Sequence, residues 1–262
     1  MLFDSHAHYD DEQFDEDREN LLDHMEARGV GCIVNMSSTL RSCHETLGLI
    51  KRFPKVYGAL GFHPTELEEL TEKDLEWLRQ NLCTPKVVAV GEIGLDYYWN
   101  KNEEDKKRQK DWFEAQIAIA RELELPVSIH SRDAAADTLD IAKATRLGEV
   151  GGVVHCFSYG VDMAKEYLDM GLYLGIGGVV TFKNSRVMKE VVEYAPISQL
   201  VVETDCPYLS PEPYRGTRNS SLHLPYIVSA IAEIKGMTPN EVMHETTKNA
   251  RKLFGLDVDQ DE

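Results

Sequence analysis

The chain has 262 residues, 42% of them hydrophobic and 28% charged, and a net charge of −17 at pH 7. That length holds a sizeable core, and the balance is that of an ordinary soluble globular protein. So acidic a chain is no coat for duplex DNA or anionic membrane, since such binding is driven by basic patches.

A grip on one phosphate beside bound cations stays open, because the cations reverse the local field. The N-terminus lacks the basic-then-apolar order of a secretory leader. The longest apolar-rich run, 170–182, is too short and too rich in glycine to cross a bilayer. Five cysteines (Cys32, Cys43, Cys83, Cys156 and Cys206) include no CxxC pair, which fits a reduced, cytoplasmic setting.

Strand-like and helix-like stretches alternate from end to end. Strands are expected at 2–6, 31–36, 56–61, 87–92, 127–130, 152–155, 172–177 and 200–205. Between them, 15–28 is a helix stopped by Gly29, and Thr71 with Asp74 makes a capping box. In 106–123, Phe113, Ile117, Ala120 and Leu123 fall at helical spacing. Residues 206–219, with Pro207, Pro211, Pro213, Arg215 and Gly216, read as a long loop. Helices follow at 222–235 and from Thr238, where a capping box meets proline at the first helical position. Eight βα units at this length suggest a parallel (β/α)8 TIM barrel, one domain over 1–256, with 257–262 an acidic C-terminal tail.

The strand ends carry the chemistry. His6 and His8 alternate onto one side of the first strand, with Asp4 two residues behind. The fourth strand ends at Glu92, the fifth at His130, the sixth at His155 and the eighth at Glu203-Thr204-Asp205. Barrel active sites lie at the carboxyl ends of the strands, so these residues would share one mouth. Singly, each has a plain explanation: a core histidine satisfied by hydrogen bonds, or a carboxylate in a buried ion pair. Six such residues at five strand ends, with no Arg or Lys among them to compensate, read as a metal centre. His63 follows the third strand and faces the same mouth, whereas His24, His44 and His244 read as surface residues and His223 stays open.

Taken together, these segments resemble the TatD family of metal-dependent deoxyribonucleases, within the amidohydrolase superfamily. The resemblance is carried in order by Asp4-Ser5-His6-Ala7-His8, Gly61-Phe62-His63-Pro64, Gly91-Glu92-Ile93-Gly94-Leu95-Asp96-Tyr97, His130-Ser131-Arg132-Asp133-Ala134, His155-Cys156-Phe157-Ser158, Glu203-Thr204-Asp205-Cys206-Pro207 and Thr247 to Phe254. One departure is visible: after Tyr214-Arg215-Gly216 the family continues to Asn-Glu-Pro, but here Asn219 is followed by Ser220-Ser221.

The resemblance implies two divalent cations bridged by Glu92, one held by His6, His8 and Asp205, the other by His130 and His155. Asp205 is the expected base for the attacking water. The family is magnesium-dependent, while the imidazole-rich donors also admit manganese or zinc. The implied substrate is a phosphodiester in DNA, cut exonucleolytically at single-stranded or frayed ends. The alternative is a small amide, lactone or phosphoester turned over by the same centre, since fold does not dictate substrate. Arg132, His63 and Arg215 are placed to meet a phosphate, although Arg132 could instead pair with Asp133 or Asp137. Glu203 either orients a ligand or forms an interior salt bridge. Tyr97-Tyr98-Trp99 either stacks an unpaired base or roofs the barrel, and Asp96 supports that loop.

Overall fold

The computed structural model describes residues 1–99 and 101–256. The strands are β1 (Leu2–Ala7), β2 (Val30–Met36), β3 (Val56–Leu60), β4 (Val87–Asp96), β5 (Val127–Arg132), β6 (Gly152–Val154), β7 (Tyr173–Ile176) and β8 (Leu200–Val202). The helices are α1 (Arg18–His24), α2 (Leu40–Arg52), α3 (Glu72–Asn81), α4 (Glu103–Glu122), α5 (Ala135–Ala144), α6 (Val161–Asp169), α7 (Arg186–Tyr194), α8 (Leu224–Lys235) and α9 (Pro239–Leu253). Every residue of β1, β2, β4, β6 and β8 is buried. A parallel strand covered on both faces needs such a run, which is why these segments read as continuously apolar. Capping boxes open α3 at Thr71 and α9 at Thr238.

The strands pair in parallel in chain order from β1 to β8. A parallel bridge between Ala7 and Cys206 joins the first edge to the last. The His8 amide donates to the Cys206 carbonyl at 2.8 Å, and the Asp205 amide to the His6 carbonyl at 2.9 Å. This is the expected barrel in a single domain, while the acidic segment 257–262 lies outside the described residues. The barrel interior is filled by Phe3, Val34, Ala59, Ala89, Val153 and Val201, each from a different strand. Below them Phe254 stacks on Phe3 with ring centroids 5.9 Å apart, so the end of α9 closes the lower opening.

Two strands depart most from expectation at their carboxyl ends. β4 runs past Glu92 to Asp96, pairing Gly94 with His130 and Asp96 with Arg132. Gly94 sits at φ 148, where a Cβ would lie 1.9 Å from the His130 carbonyl oxygen, so only glycine keeps the two strands this close. β8, by contrast, stops at Val202. Asp205 adopts a left-handed φ of 54, which breaks strand alternation and turns its carboxylate inward.

Asp4 does not join the imidazoles, because the β1–β2 register shifts between Asp4 and Ala7. Its carboxylate accepts from the Thr204 amide at 3.0 Å, and from the Thr204 and Ser221 hydroxyls at 2.6 Å each. Burial pushes its pKa up to about 7 against those hydrogen bonds. The departing loop therefore has a structural task. Ser221 ties Asp4 to Tyr9, and the Asn219 amide donates to the Thr204 and Tyr208 carbonyls at 2.8 and 2.7 Å.

Candidate metal centre

At the upper mouth a cavity of about 770 Å³ is lined by His8, His63, Glu92, His130, His155 and Asp205, among others. Glu92 is its hub. One carboxylate oxygen, Oε2, lies 3.4 Å from His6 Nε2 and 3.5 Å from His8 Nε2. The other, Oε1, lies 2.8 Å from His130 Nδ1, 2.7 Å from His155 Nε2 and 3.7 Å from His63 Nε2. Asp205 Oδ1 completes the first group, 3.3 Å from His8 Nε2 and 3.7 Å from His6 Nε2. Residues from six strands or strand ends thus meet in one knot, with Glu92 facing a separate set of nitrogens on each of its oxygens.

Neighbouring backbone and side chains aim these rings. His8 Nδ1 meets the Met36 carbonyl at 2.9 Å; a carbonyl only accepts, so that nitrogen carries the proton and Nε2 is turned inward. Ser128 Oγ lies 3.3 Å from His6 Nδ1. Asp96 uses both oxygens: Oδ2 is 3.0 Å from His130 Nε2, while Oδ1 accepts from the Tyr98 and Trp99 amides at 2.9 and 3.1 Å. The expected support of the loop is there, and so is a grip on a ring. The partners of His6 and His8 and this second role of Asp96 carry no local sequence signal, because they are contacts between strands.

Glu203 is fully buried beneath His155. Its Oε1 accepts the Cys156 amide and lies 3.7 Å from His155 Nδ1. Among the described residues no Lys or Arg reaches it, so the interior pair it forms is with a histidine. Glu203 Oε2 and His155 Nδ1 are both buried without a hydrogen-bond partner. Orphaned polar atoms amid imidazoles and carboxylates are costly in a bare core and suit a cation-binding centre. The donor set fits a metal.

Electrostatics agree. Burial raises the pKa of Glu92, but His155, His130 and His6 outweigh it and hold the carboxyl well below its usual range. Asp205 is likewise lowered, with burial opposed by His8, His6 and His155. For His8, burial acts downward, yet Asp205, Glu92 and Asp10 lift its pKa to about 9. His63 goes the other way: burial and His130 push it down to about 3, so it is neutral near pH 7.

The phosphate candidates separate. Arg132 lines the cavity, its guanidinium 4.0 Å from the Tyr98 ring centroid. Asp137, one expected partner, is taken by Lys110 and the Tyr97 hydroxyl, each at 2.7 Å. Arg215 instead stacks 4.3 Å over Phe182 and does not line the cavity. His24, His44 and His244 are exposed as expected. His223 packs flat on Tyr214, ring centroids 4.5 Å apart.

An eight-stranded α/β barrel with imidazoles and carboxylates gathered at the carboxyl ends of its strands is the construction of a metal-dependent hydrolase. Residues 3–255 match the family described as TatD related DNase, and the chain belongs to that family. It is 42% identical over 256 residues to the metal-dependent hydrolase YabD of Bacillus subtilis (strain 168), covering 98% of this chain and 100% of that one. It is 33% identical over 261 residues to a Citrobacter rodentium (strain ICC168) protein named 3'-5' ssDNA/RNA exonuclease TatD, covering 97% and 98%. The crystal structure of YjjV, a TatD homolog from Escherichia coli K12, superimposes with a TM-score of 0.91 at 29% identity, covering 98% of each chain. Among the described residues no helix is long and apolar enough to cross a membrane.

Proposed function

We propose that this metal-dependent hydrolase cleaves phosphodiester bonds at single-stranded ends of nucleic acid, DNA above all, using two divalent cations bridged by Glu92. The observation that carries the reading is the division of the Glu92 carboxylate. Oε2 serves the His6–His8–Asp205 group and Oε1 the His130–His155 group, with His63 at its margin. When bound, such a pair of cations (magnesium, manganese or zinc) lowers the pKa of water and neutralises charge on the reacting phosphate.

The chain's own residues do the rest. Asp205, ionised and reaching inward from its left-handed turn, receives the proton of the attacking water. Glu203 holds the His155 ring and Asp96 the His130 ring. Arg132 meets the non-bridging oxygens as a cation, and neutral His63 meets them as a hydrogen-bonding group. The relative named as a single-stranded DNA and RNA exonuclease supports this substrate class.

A second reading has its own observation. The cavity wall also carries Asp10, Asp11 and Glu66, with Arg132 its one guanidinium, which suits a small uncharged ester or amide. One experiment separates the two. Metal-loaded protein is incubated with single-stranded oligonucleotides and, in parallel, with small lactones, amides and phosphoesters. We expect oligonucleotide digestion that stops with chelator, returns with a divalent cation and is lost in a folded Glu92→Gln protein. Intact oligonucleotides beside a hydrolysed small ester or amide would overturn the nuclease reading.

A further inference from the structure

Three aromatic residues follow β4, and they are not alike. Tyr97 is half-buried, its hydroxyl on Asp137 at 2.7 Å and Lys106 Nζ 5.1 Å from its ring centroid. It is packing. Tyr98 is 42% exposed and lies under the Arg132 guanidinium. Trp99 is 66% exposed, meets Tyr98 edge-on with centroids 4.8 Å apart, and lines the same cavity as Glu92, His130 and Asp205. A tryptophan so exposed at the wall of a polar cavity offers apolar surface that a flat ligand can cover.

We infer that Trp99 is the shelf on which the base of the terminal nucleotide stacks, and that Tyr98 holds Arg132 face-on so that it meets the phosphate of that nucleotide. This rests on the nuclease reading and adds to it the part of the substrate that is recognised. Two observations carry it independently. The first is the exposure of Trp99 within the cavity that holds the donor knot. The second is the anchoring of the shelf: Asp96 Oδ1 accepts the Tyr98 and Trp99 amides while Oδ2 reaches His130. One carboxylate therefore sets both the shelf and a ring of the reactive centre, so a base stacked on Trp99 places its phosphate in a fixed relation to Glu92. Stacking uses the π-face common to every base, so recognition is indifferent to sequence.

The test uses the metal-loaded protein and two single-stranded oligonucleotides, one ending in an ordinary nucleotide and one in an abasic tetrahydrofuran residue. Wild type is expected to prefer the base-bearing end by roughly ten- to a hundredfold in kcat/KM, mainly through KM. Trp99→Ala should bring the ratio close to one, and Trp99→Phe should restore most of it. A second readout needs no turnover: tryptophan fluorescence should be quenched by deoxyadenosine monophosphate but not by deoxyribose 5-phosphate, and the quench should vanish in Trp99→Phe. A preference unchanged in Trp99→Ala, or a quench that survives in Trp99→Phe, overturns the shelf. Failure of the nuclease reading looks different, because wild type then leaves both oligonucleotides uncut, and the quench still decides whether a base sits on Trp99.

Discussion

Replacing Asp96 with asparagine puts the dual grip of this residue to the test. The carboxylate accepts on both oxygens, one from His130 Nε2 at 3.0 Å, the other from the Tyr98 and Trp99 amides at 2.9 and 3.1 Å. A carboxamide accepts on only one side, and its NH2 would face a donor on the other. Asp96→Asn must therefore give up one of the two sets. Losing the hold on His130 is expected to cost about 10- to 100-fold in metal affinity or turnover, or about 1.4–2.7 kcal/mol. Losing the amides leaves two backbone donors unpaired, at about 1–3 kcal/mol of stability each if water does not reach them. Calorimetric titration with manganese, kcat against metal concentration, and thermal unfolding of the apo protein read the two losses separately. A variant matching wild type in all three would show that Asp96 orients nothing.

Two further outcomes are expected. In Gly175→Ala the new Cβ would stand 2.2 Å from Glu203 Oε2, so overpacking should cost about 1–3 kcal/mol and push the carboxylate off His155; unchanged unfolding temperature and turnover would refute this. The pKa of His8 is about 9, burial being outweighed by Asp205, Glu92 and Asp10. A raised value stabilises the metal-free fold fully below the ordinary histidine pKa of 6.5 and loses that contribution as pH climbs through 9. Metal competes with this proton, so its affinity should rise over the same interval. Calorimetry at pH 7 in two buffers of different ionisation enthalpy should give different observed heats, the mark of proton release on metal binding, and identical observed heats in the two buffers would refute it.

The alternation of strand and helix was readable because each strand is an apolar run and each helix has a face, and both patterns are local. The meeting of His6, His8, Glu92, His130, His155 and Asp205 was readable for another reason: parallel barrels bring strand ends together whatever lies between. What could not be read was the fine placement. The extension of β4 to Asp96 depends on Gly94 lying against the His130 carbonyl, and the inward turn of Asp205 depends on one left-handed residue. Asp4 looked like a neighbour of the two histidines, yet a register shift gives it to Thr204 and Ser221. Tyr97, Tyr98 and Trp99 are indistinguishable as a run of rings, and only the tertiary setting separates the packed Tyr97 from the exposed Trp99 at the cavity wall.

The seam between β1 and β8 has a consequence for biosynthesis. Ser5 Oγ reaches the Val202 carbonyl at 3.0 Å, and Asp205 and Cys206 bond back to His6 and His8. A nascent chain still lacking its last quarter has neither the eighth stave nor the acid that faces the two N-terminal imidazoles. The donor group at this end is therefore completed only when the eighth strand closes the seam, and a chain truncated before it leaves His6 and His8 without the Asp205 carboxylate.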